Sequence, residues 1–426
     1  MLLLFGSFAL LIVIGVPIAY CLIGSSVIWM LANDFSLVMV TKCMASGVNK
    51  FSLLSMMFFV LAGAVMNHAG VTGRIFDFAN KLVGHHRGGL GHANIFASVI
   101  FSGMSGSAVA DTGGLGAIEL KAMKDAGYDE DFSLAVTGAS SCIGPIIPPS
   151  VPGVVFCVAA EVSVGRLFTG GMIPGLLMAI AMCVLVSMTS IKRGYAKQPK
   201  AKPKEVLVSF KRAFFPILTP IIIIGGIMFS IITPSEAGVI AVAYALILGV
   251  VYGNLNLKTF VKIIGESLNT SASILLIIAG STAFGWILTA SNVPQTVASF
   301  FLENVSSPVV ALLILNVILL IVGMFMETAA AILLLVPIFV PIASIYGISL
   351  VHLGIIMVLN LMIGLLTPPV GLVLYVLSSV SKTPFERIVK AIWPYMICLL
   401  VVLILIIFFE PIVTWLPNLL YGPELL

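Results

Sequence analysis

The chain has 426 residues, of which 60% are hydrophobic and only 9% are charged, with a formal net charge of +4. A soluble domain carries roughly 25% charged residues, so the composition excludes a soluble domain and indicates an integral membrane protein. The basic residues cluster in a loop without interleaved aromatic side chains, which argues against nucleic acid as a partner and makes the lipid bilayer the expected surroundings.

Long apolar runs predict membrane-spanning helices. Such helices need about 20 residues, and runs of this kind occupy 52–66, 214–233 and 397–409 without the alternation of barrel strands. The run that starts at Met1 lacks a basic leader and a cleavage site, so it is predicted to be the first crossing rather than a signal peptide. In chain order we expect crossings at 3–31, 51–69, 132–165, 170–191, 214–232, 236–253, 266–290, 350–380 and 391–416.

The basic residues predict the orientation of these crossings. Eight Lys or Arg residues but one acidic residue, Glu205, lie between Lys192 and Arg212. By the positive-inside rule this loop is cytoplasmic. Counting outward from it predicts a cytoplasmic N-terminus and a periplasmic C-terminus, with Lys42, Lys50 and Arg166 on the outer side as exceptions.

Segment 88–125 is too short and too polar in its middle for two full crossings, and both of its ends are basic. We therefore predict a re-entrant helical hairpin whose tip carries "SGMSGSAVAD". A related motif, "GMFMETAAA" at 323–331, follows "GMSGSAVAD" at 103–111 by 220 residues, and "GLLTPPV" at 364–370 follows "GPIIPPS" at 144–150 by the same offset. Several matches at one offset predict an internal duplication.

The duplication divides the chain into two repeats and a linker. The first repeat is predicted at 1–191, with hairpin 88–125 and broken helix 132–165. A basic loop and linking helix follow at 192–235. The second repeat is predicted at 236–426, with hairpin 307–345 and broken helix 350–380. Four crossings per repeat and one linking helix would make the second half enter from the opposite face, which is the inverted-topology architecture of many secondary transporters.

The proline pairs predict where the two spans break. Pro148–Pro149 and Pro368–Pro369 cannot continue a helix, and each therefore frees carbonyl oxygens near mid-span. Non-helical backbone survives at membrane depth only inside protein or beside a water-filled cavity. Tip and break together would form an oxygen cage for a hard monovalent cation, once in each repeat.

The candidate residues fall into two sets. Those of the two cation cages are Ser102, Gly103, Ser105, Gly144, Ile147 and Pro148, and then Gly323, Met326, Thr328, Gly364, Thr367 and Pro368. Those expected to contact a substrate are Ser107, Asp111, Ser150, Glu327, Pro149 and Pro369. The alternatives are that the small residues only pack helices together, that the prolines are simple kinks, and that the two carboxylates form a salt bridge or a helix cap.

Half-helices that start at the tips and breaks would point positive dipole ends at the midplane, which favours an anionic substrate group. The sequence has no GxxxxGK[ST] loop for ATP, so an ion gradient is the expected energy source. Scattered cysteines without CxxC spacing are expected to be core residues. The cluster of His85, His86 and His92 beside Arg87 is predicted to be a basic surface turn, so no metal other than the coupling ion and no cofactor is expected.

At this point the motifs "FSGMSGSAVAD", "AMKDAGYD", "GPIIPPS", "GLLTPPVG", "FFVLAGAVMNHAGVTGRI" and "IPGLL" identify a family. The chain resembles, over essentially its whole length, the large membrane subunit of tripartite ATP-independent periplasmic (TRAP) transporters. The resemblance implies a bacterial inner-membrane protein in which hairpins and broken helices form a mobile elevator domain on a fixed scaffold, as in the ion transporter superfamily. It also implies a small four-helix membrane subunit, a periplasmic substrate-binding protein, and sodium-coupled uptake of a C4-dicarboxylate, a sialic acid or another sugar acid, among which a sialic acid is favoured.

Two other classes of protein remain as alternatives. A stand-alone sodium/carboxylate symporter or ion antiporter of related fold would work without partners. An intramembrane hydrolase is the weakest alternative, because no histidine lies in a second apolar segment able to meet Ser105 or Ser107 at depth.

Overall fold

The computed structural model describes residues 1–195, 197 and 199–424. Within these residues the regular elements are helices, and strand pairing is limited to one isolated bridge between Arg87 and Lys197. The predicted all-helical class is therefore confirmed. The helices before the basic loop are α1 Leu2–Val13, α2 Ile18–Ala32, α3 Val38–Val48, α4 Leu53–His68, α5 Val71–Val83, α6 Gly89–Ser105, α7 Ala108–Gly113, α8 Leu115–Asp125, α9 Glu130–Ser141, α10 Val151–Ala160 and α11 Val164–Lys192. The helices after it are α12 Pro203–Met228, α13 Pro234–Val251, α14 Leu257–Ala290, α15 Val293–Asn304, α16 Pro308–Gly323, α17 Thr328–Ile345, α18 Leu350–Gly364, α19 Leu372–Ser381, α20 Phe385–Phe408 and α21 Pro411–Tyr421.

Six of the helices described are long and apolar enough to cross a bilayer: α11, α12, α13, α14, α17 and α20. The pair α3 and α4 reaches that length together, with a bend of 59° between its members. Large apolar side chains remain exposed on several of these helices, including Ile180 on α11 and Ile221 on α12. Such exposed apolar flanks are what a lipid-facing surface requires, and the chain is a multi-pass membrane protein.

The predicted single crossing at 3–31 is wrong. Two short helices, α1 and α2, occupy this segment and pack side by side. Gly15 takes a left-handed conformation with a φ of +88°, and Pro17 follows it, so the chain turns back and Leu11 contacts Gly24. The cytoplasmic N-terminus was inferred from that crossing, and the orientation of both termini stays a prediction.

The basic loop is also shorter than expected, because α12 begins at Pro203, eleven residues before the crossing predicted from hydropathy. Proline fits the first turn of a helix, where its missing N–H has no partner to lose. The Glu205 carboxylate accepts a hydrogen bond from the backbone N–H of Lys202 at 3.4 Å and closes this end of the helix. The linking helix therefore starts within the charged segment.

The helix bounds coincide with both predicted hairpins and both predicted breaks. In the first hairpin α6 ends at Ser105, and α7 and α8 lead away from the tip. In the second, α16 ends at Gly323 and α17 leads away. Residues 142–150 and 365–371 separate α9 from α10 and α18 from α19. The outgoing arm α17 is long enough to cross a bilayer by itself. Helix length therefore does not show whether this arm is part of a re-entrant hairpin or is a full crossing. The re-entrant hairpins and the inverted-repeat topology stay predictions.

The two hairpins and the two broken helices pack against one another in matching pairs. The incoming arm of each hairpin lies against the first half of the next broken helix, α6 on α9 and α16 on α18. The outgoing arm lies against the second half of the other broken helix, α7 on α19 and α17 on α10. The four elements therefore form one packed unit.

Charged residues gather at two separate groups of loops. In one group Arg193 pairs with Asp129 at 2.8 Å, and Arg387 pairs with Glu130 at 2.9 Å. In the other, Lys50 lies 3.7 Å from Glu161, and Arg166 donates to the carbonyl of Tyr421 at 2.9 Å. Lys50 and Arg166 thus lie near loops predicted to be external, apart from the segments predicted to be cytoplasmic.

Candidate ion and substrate site

The tip of the first hairpin touches the first broken helix. The carbonyl of Gly106 accepts a hydrogen bond from the backbone N–H of Val151 at 3.4 Å. Gly106 is left-handed, with a φ of +59°, and a Cβ atom there would lie 2.5 Å from the carbonyl oxygen of Pro149. Only glycine tolerates both the conformation and the close approach. The structure therefore brings the predicted tip and the predicted break together.

Asp111 lies at this contact as a buried carboxylate that is only partly satisfied. Its side chain is 2% exposed, and its Oδ1 accepts a hydrogen bond from the Ser105 hydroxyl. Its Oδ2 has no hydrogen-bond partner among the described residues and faces Gly144, where an added Cβ would lie 2.4 Å from it. A buried, half-partnered carboxylate is costly unless a cation or a proton completes it.

Several carbonyl oxygens at both tips accept no backbone hydrogen bond. No backbone N–H in the described chain donates to the carbonyls of 103–105 or to those of 323–326. The same holds at the breaks for the carbonyls of Ile147, Pro148, Thr367 and Pro368. The end of a helix that leaves its carbonyls free carries partial negative charge, which favours a cation.

The serine hydroxyls of the first site already have local roles. Ser102 donates to the carbonyl of Val99 at 2.6 Å. Ser107 and Ser150 cap helices by accepting from the N–H groups of Ala110 and Gly153 at 3.4 and 2.9 Å. A cap uses only an oxygen lone pair, so these two hydroxyls can still donate to an anion.

The second tip lies against the second break through two glycines. A Cβ on Gly364 would lie 2.7 Å from the backbone of Gly323, so the two chains pass at close contact. Thr367 donates to the carbonyl of Ile363 at 2.8 Å. Thr328 is 2% exposed and Met326 is 9% exposed. Pro368 is half-buried and Pro369 is exposed, so the second break is more open than the first, where 141–150 is buried throughout.

Glu327 caps α17. Its carboxylate accepts from the N–H groups of Ala329 and Ala330 at 2.8 and 3.3 Å. In this conformation Glu327 is a helix cap, which is one of the alternatives given for it in the sequence analysis. Its contact with substrate stays a prediction. A negative side chain at the start of α17 also occupies the dipole end that an anion would otherwise use.

The oxygen atoms at the first site include a carboxylate as well as neutral groups, and this combination suits a hard monovalent cation. The Ser105 hydroxyl and the unpartnered Asp111 oxygen lie together beside Gly144. A carboxylate repels a carboxylate substrate but attracts a cation. The charge of Asp111 suits a cation, and its predicted contact with substrate stays a prediction.

Sequence reasoning missed a second buried carboxylate. Glu119 on α8 is 1% exposed, and its Oε1 has no partner among the described residues. Lys121 and Lys124 gave this segment the pattern of a solvated helix, and only the packing of α8 on α9 shows its burial. Asn94 was also missed; it bonds Thr137 at 2.8 Å and Ser140 at 2.6 Å, joining the incoming hairpin arm to the broken helix.

All six cysteines are free, and four of them are buried. Across the described residues no group of three or more His, Cys, Asp or Glu side chains is placed to hold a metal ion. In the predicted basic turn, His86 and Arg87 are exposed, while His92 is half-buried.

Residues 5–412 match the model of the tripartite ATP-independent periplasmic transporter family, DctM component. The chain belongs to this TRAP large-permease family. It is 47% identical, over 98% of both chains, to the sialic acid TRAP transporter large permease protein SiaM of Vibrio cholerae. It is 39% identical, over 86% of both chains, to the C4-dicarboxylate TRAP transporter large permease protein DctM of Pseudomonas aeruginosa. Both of these relatives of the TRAP subunit are named as transporter permeases and not as enzymes.

One relative is longer than the TRAP subunit described here. The sialic acid TRAP transporter permease protein SiaT of Haemophilus influenzae is 40% identical over 96% of this chain, which spans 66% of that protein. Among solved structures, the YdaH transporter of Alcanivorax borkumensis superposes with a TM-score of 0.65 over 87% of both chains at 15% identity. MtrF of Neisseria gonorrhoeae superposes with a TM-score of 0.61 over 87% of this chain and 83% of that one, also at 15% identity. These two structures share the fold.

Proposed function

We propose that this TRAP subunit carries out sodium-coupled secondary active uptake of a small carboxylate across the bacterial inner membrane. The contact of the first hairpin tip with the first break, closed around the half-partnered Asp111, is the observation that carries the proposal. Sodium supplies the charge that completes this site. Ser105 and Asp111 hold the ion, together with free carbonyls of α6.

The transported carboxylate is proposed to lie beside the ion rather than on Asp111. Ser107 and Ser150 flank the tip-to-break contact, and their hydroxyl hydrogens remain free to donate. Sodium screens Asp111 from the anion, so the substrate binds well only when the ion is present. The relatives named for sialic acid and for C4-dicarboxylates support the substrate class, and the higher identity to the Vibrio cholerae protein favours a sialic acid.

The proposed moving part is the packed unit of two hairpins and two broken helices. Its members contact one another in matching pairs, while Gly103 at the first tip packs against Pro220 of α12. An elevator motion would keep the first kind of contact and change the second. A small four-helix membrane subunit and a periplasmic substrate-binding protein complete the proposed assembly.

Reconstitution of the chain in proteoliposomes, with and without these two partners, tests the proposal. We expect uptake of labelled sialic acid only when both partners are present and a sodium gradient is imposed. Uptake by the chain alone would instead support a stand-alone symporter of the same fold. Uptake in sodium-free vesicles driven by a pH gradient would contradict the coupling.

A further inference from the structure

A cavity of about 590 Å³ lies outside the hairpin tips, where the turn between α5 and α6 meets the C-terminal part of α11. Arg87, Lys197, His86, His92 and Ser187 provide its polar lining. None of the described lining residues is acidic. His92 on α6 and Ser187 on α11 both line the cavity, and their side chains are 3.2 Å apart, within hydrogen-bonding distance.

The surroundings of this cavity are cationic beyond the residues that line it. The pKa of His85, in the same turn, is lowered first by desolvation and then by the positive charges of His86 and Lys200. Arg87 and Lys197 are tied together by the isolated backbone bridge. This bridge keeps two basic side chains at one rim of the cavity.

An apolar groove of about 390 Å³ continues from the basic cavity along α6 and α11. Phe96, Cys183 and Ser187 line both spaces, so the two are contiguous. Further along, Val184 is 54% exposed and Ile180 is 62% exposed. The groove extends from Ser187 to Leu176 on α11, a length of about 16 Å at 1.5 Å per residue.

We propose that the basic cavity and the apolar groove together bind one anionic phospholipid. The phosphate lies between Arg87 and Lys197, and an acyl chain lies along Ile180 and Val184. Basic pockets between membrane helices provide this chemistry for acidic lipid headgroups. A soluble phosphate would leave the apolar groove unfilled.

This site is separate from the transport chemistry proposed above. It lies on the same group of loops as the Asp129–Arg193 pair, close to the C-terminal end of α11. A lipid held there would join the incoming arm of the first hairpin, α6, to α11. Its binding therefore requires neither sodium nor a carboxylate.

Binding of phosphatidylglycerol to the purified full-length chain in detergent, measured by native mass spectrometry, tests the proposal. The variant Arg87→Gln with Lys197→Gln should lose affinity by about 25-fold, because each basic side chain near an anionic lipid contributes about fivefold. The matched control, Lys204→Gln with Lys211→Gln, removes the same charge from exposed positions outside the cavity. It should change the affinity by less than about twofold. Thermal unfolding of both variants should match the parent.

Two further arms separate the lipid from other occupants. Ile180→Asn should weaken phosphatidylglycerol binding without changing charge, and millimolar inorganic phosphate should fail to displace the lipid. Equal affinities in the two double variants would overturn the proposal. Displacement of the lipid by phosphate would do the same. A third result would also overturn it: the cavity variant no longer binds the small membrane subunit but binds the lipid as the parent does. That result would assign the surface to a protein partner.

Discussion

The Cys142 sulfur lies 3.5 Å from the backbone carbonyl oxygen of Met362. The two residues are 220 positions apart in the sequence. The same offset relates the two tip motifs and the two proline breaks in the sequence. Cys142 is the first residue after α9, Met362 lies in the last turn of α18, and Gly138 packs on Leu366 nearby. Contact between equivalent positions is what a two-fold relation between the repeats would produce.

The elevator proposal predicts which distances change during transport. Spin labels at Phe325 on the second tip and Tyr375 on α19 should keep one distance distribution with and without sodium and substrate. A label at Ile221 on α12 should shift relative to Phe325 under the same conditions. All three positions are exposed, so the labels should fit without repacking.

Pulsed electron paramagnetic resonance of the full assembly in nanodiscs measures both pairs. Labelled proteins must retain uptake, which serves as the control for the labelling. A shift confined to the pair of Phe325 and Tyr375 would favour local gating over an elevator.

The first proposed cation site predicts a graded loss of sodium affinity. Ser105→Ala removes one hydroxyl, and Asp111→Asn removes the charge that the ion neutralises, so Asp111→Asn should have the larger effect. We expect a rise in the half-saturating sodium concentration of about tenfold or more for Asp111→Asn. Sodium titration of uptake gives the measurement. Ser98→Ala is the control, since it removes a buried hydroxyl on the same helix away from the tip, and it should leave the titration unchanged. Unaltered curves for both Ser105→Ala and Asp111→Asn would show that the ligands are misassigned.

The second predicted cation site implies a role for the buried hydroxyl of Thr328. Thr328→Ala should raise the sodium requirement by about two- to tenfold, since one neutral ligand is lost. Thr328→Ser keeps the hydroxyl and should restore most of the parental titration. If serine and alanine behave alike, Thr328 contributes packing rather than an oxygen ligand.

The contact between Gly323 and Gly364 predicts a large cost for one methyl group. Gly364→Ala places a Cβ 2.7 Å from backbone atoms, which cannot rotate away. We expect destabilisation of about 1–3 kcal/mol. Gly265→Ala on α14 meets no atom within 4 Å and should be neutral or slightly stabilising. Thermal unfolding in detergent compares the two, and equal melting temperatures would mean that the second tip is not closely held.

Asp129 predicts a pH-dependent contribution to stability. Its Oδ2 accepts from the Tyr195 hydroxyl at 2.7 Å and from Arg193 at 2.8 Å, and these two partners lower its pKa. A carboxyl with a depressed folded pKa stabilises the protein above its unfolded pKa, near 4, and loses that effect as pH falls through the folded value. Because the pair is exposed, the contribution is about 0–1 kcal/mol.

Asp129→Asn should therefore lower the melting temperature slightly at pH 7, and the difference from the parent should shrink below about pH 4. Asp125→Asn, at an exposed neighbouring carboxyl, is the matched control and should have no such dependence. A constant difference at both pH values would assign the effect of Asp129 to packing instead.

The sequence alone determined the helical membrane class and the positions of the helix interruptions. Apolar length and the rigidity of proline act within a few residues, so the breaks at Pro148–Pro149 and Pro368–Pro369 could be predicted without knowledge of the fold. The offset of 220 residues likewise related the first tip to the second tip, and the first break to the second break, before any contact was known.

Only the tertiary structure decided which distant segments contact one another and which side chains these contacts bury or hydrogen-bond. The return of α1 along α2, the cap made by Glu327 and the burial of Glu119 depend on which surfaces meet. The proposal that Asp111 holds an ion depends on the same kind of information, because only the structure places Ser105 and Gly144 beside its carboxylate. Hydrogen bonds and burial between distant residues set these roles, and no local pattern in the chain records them.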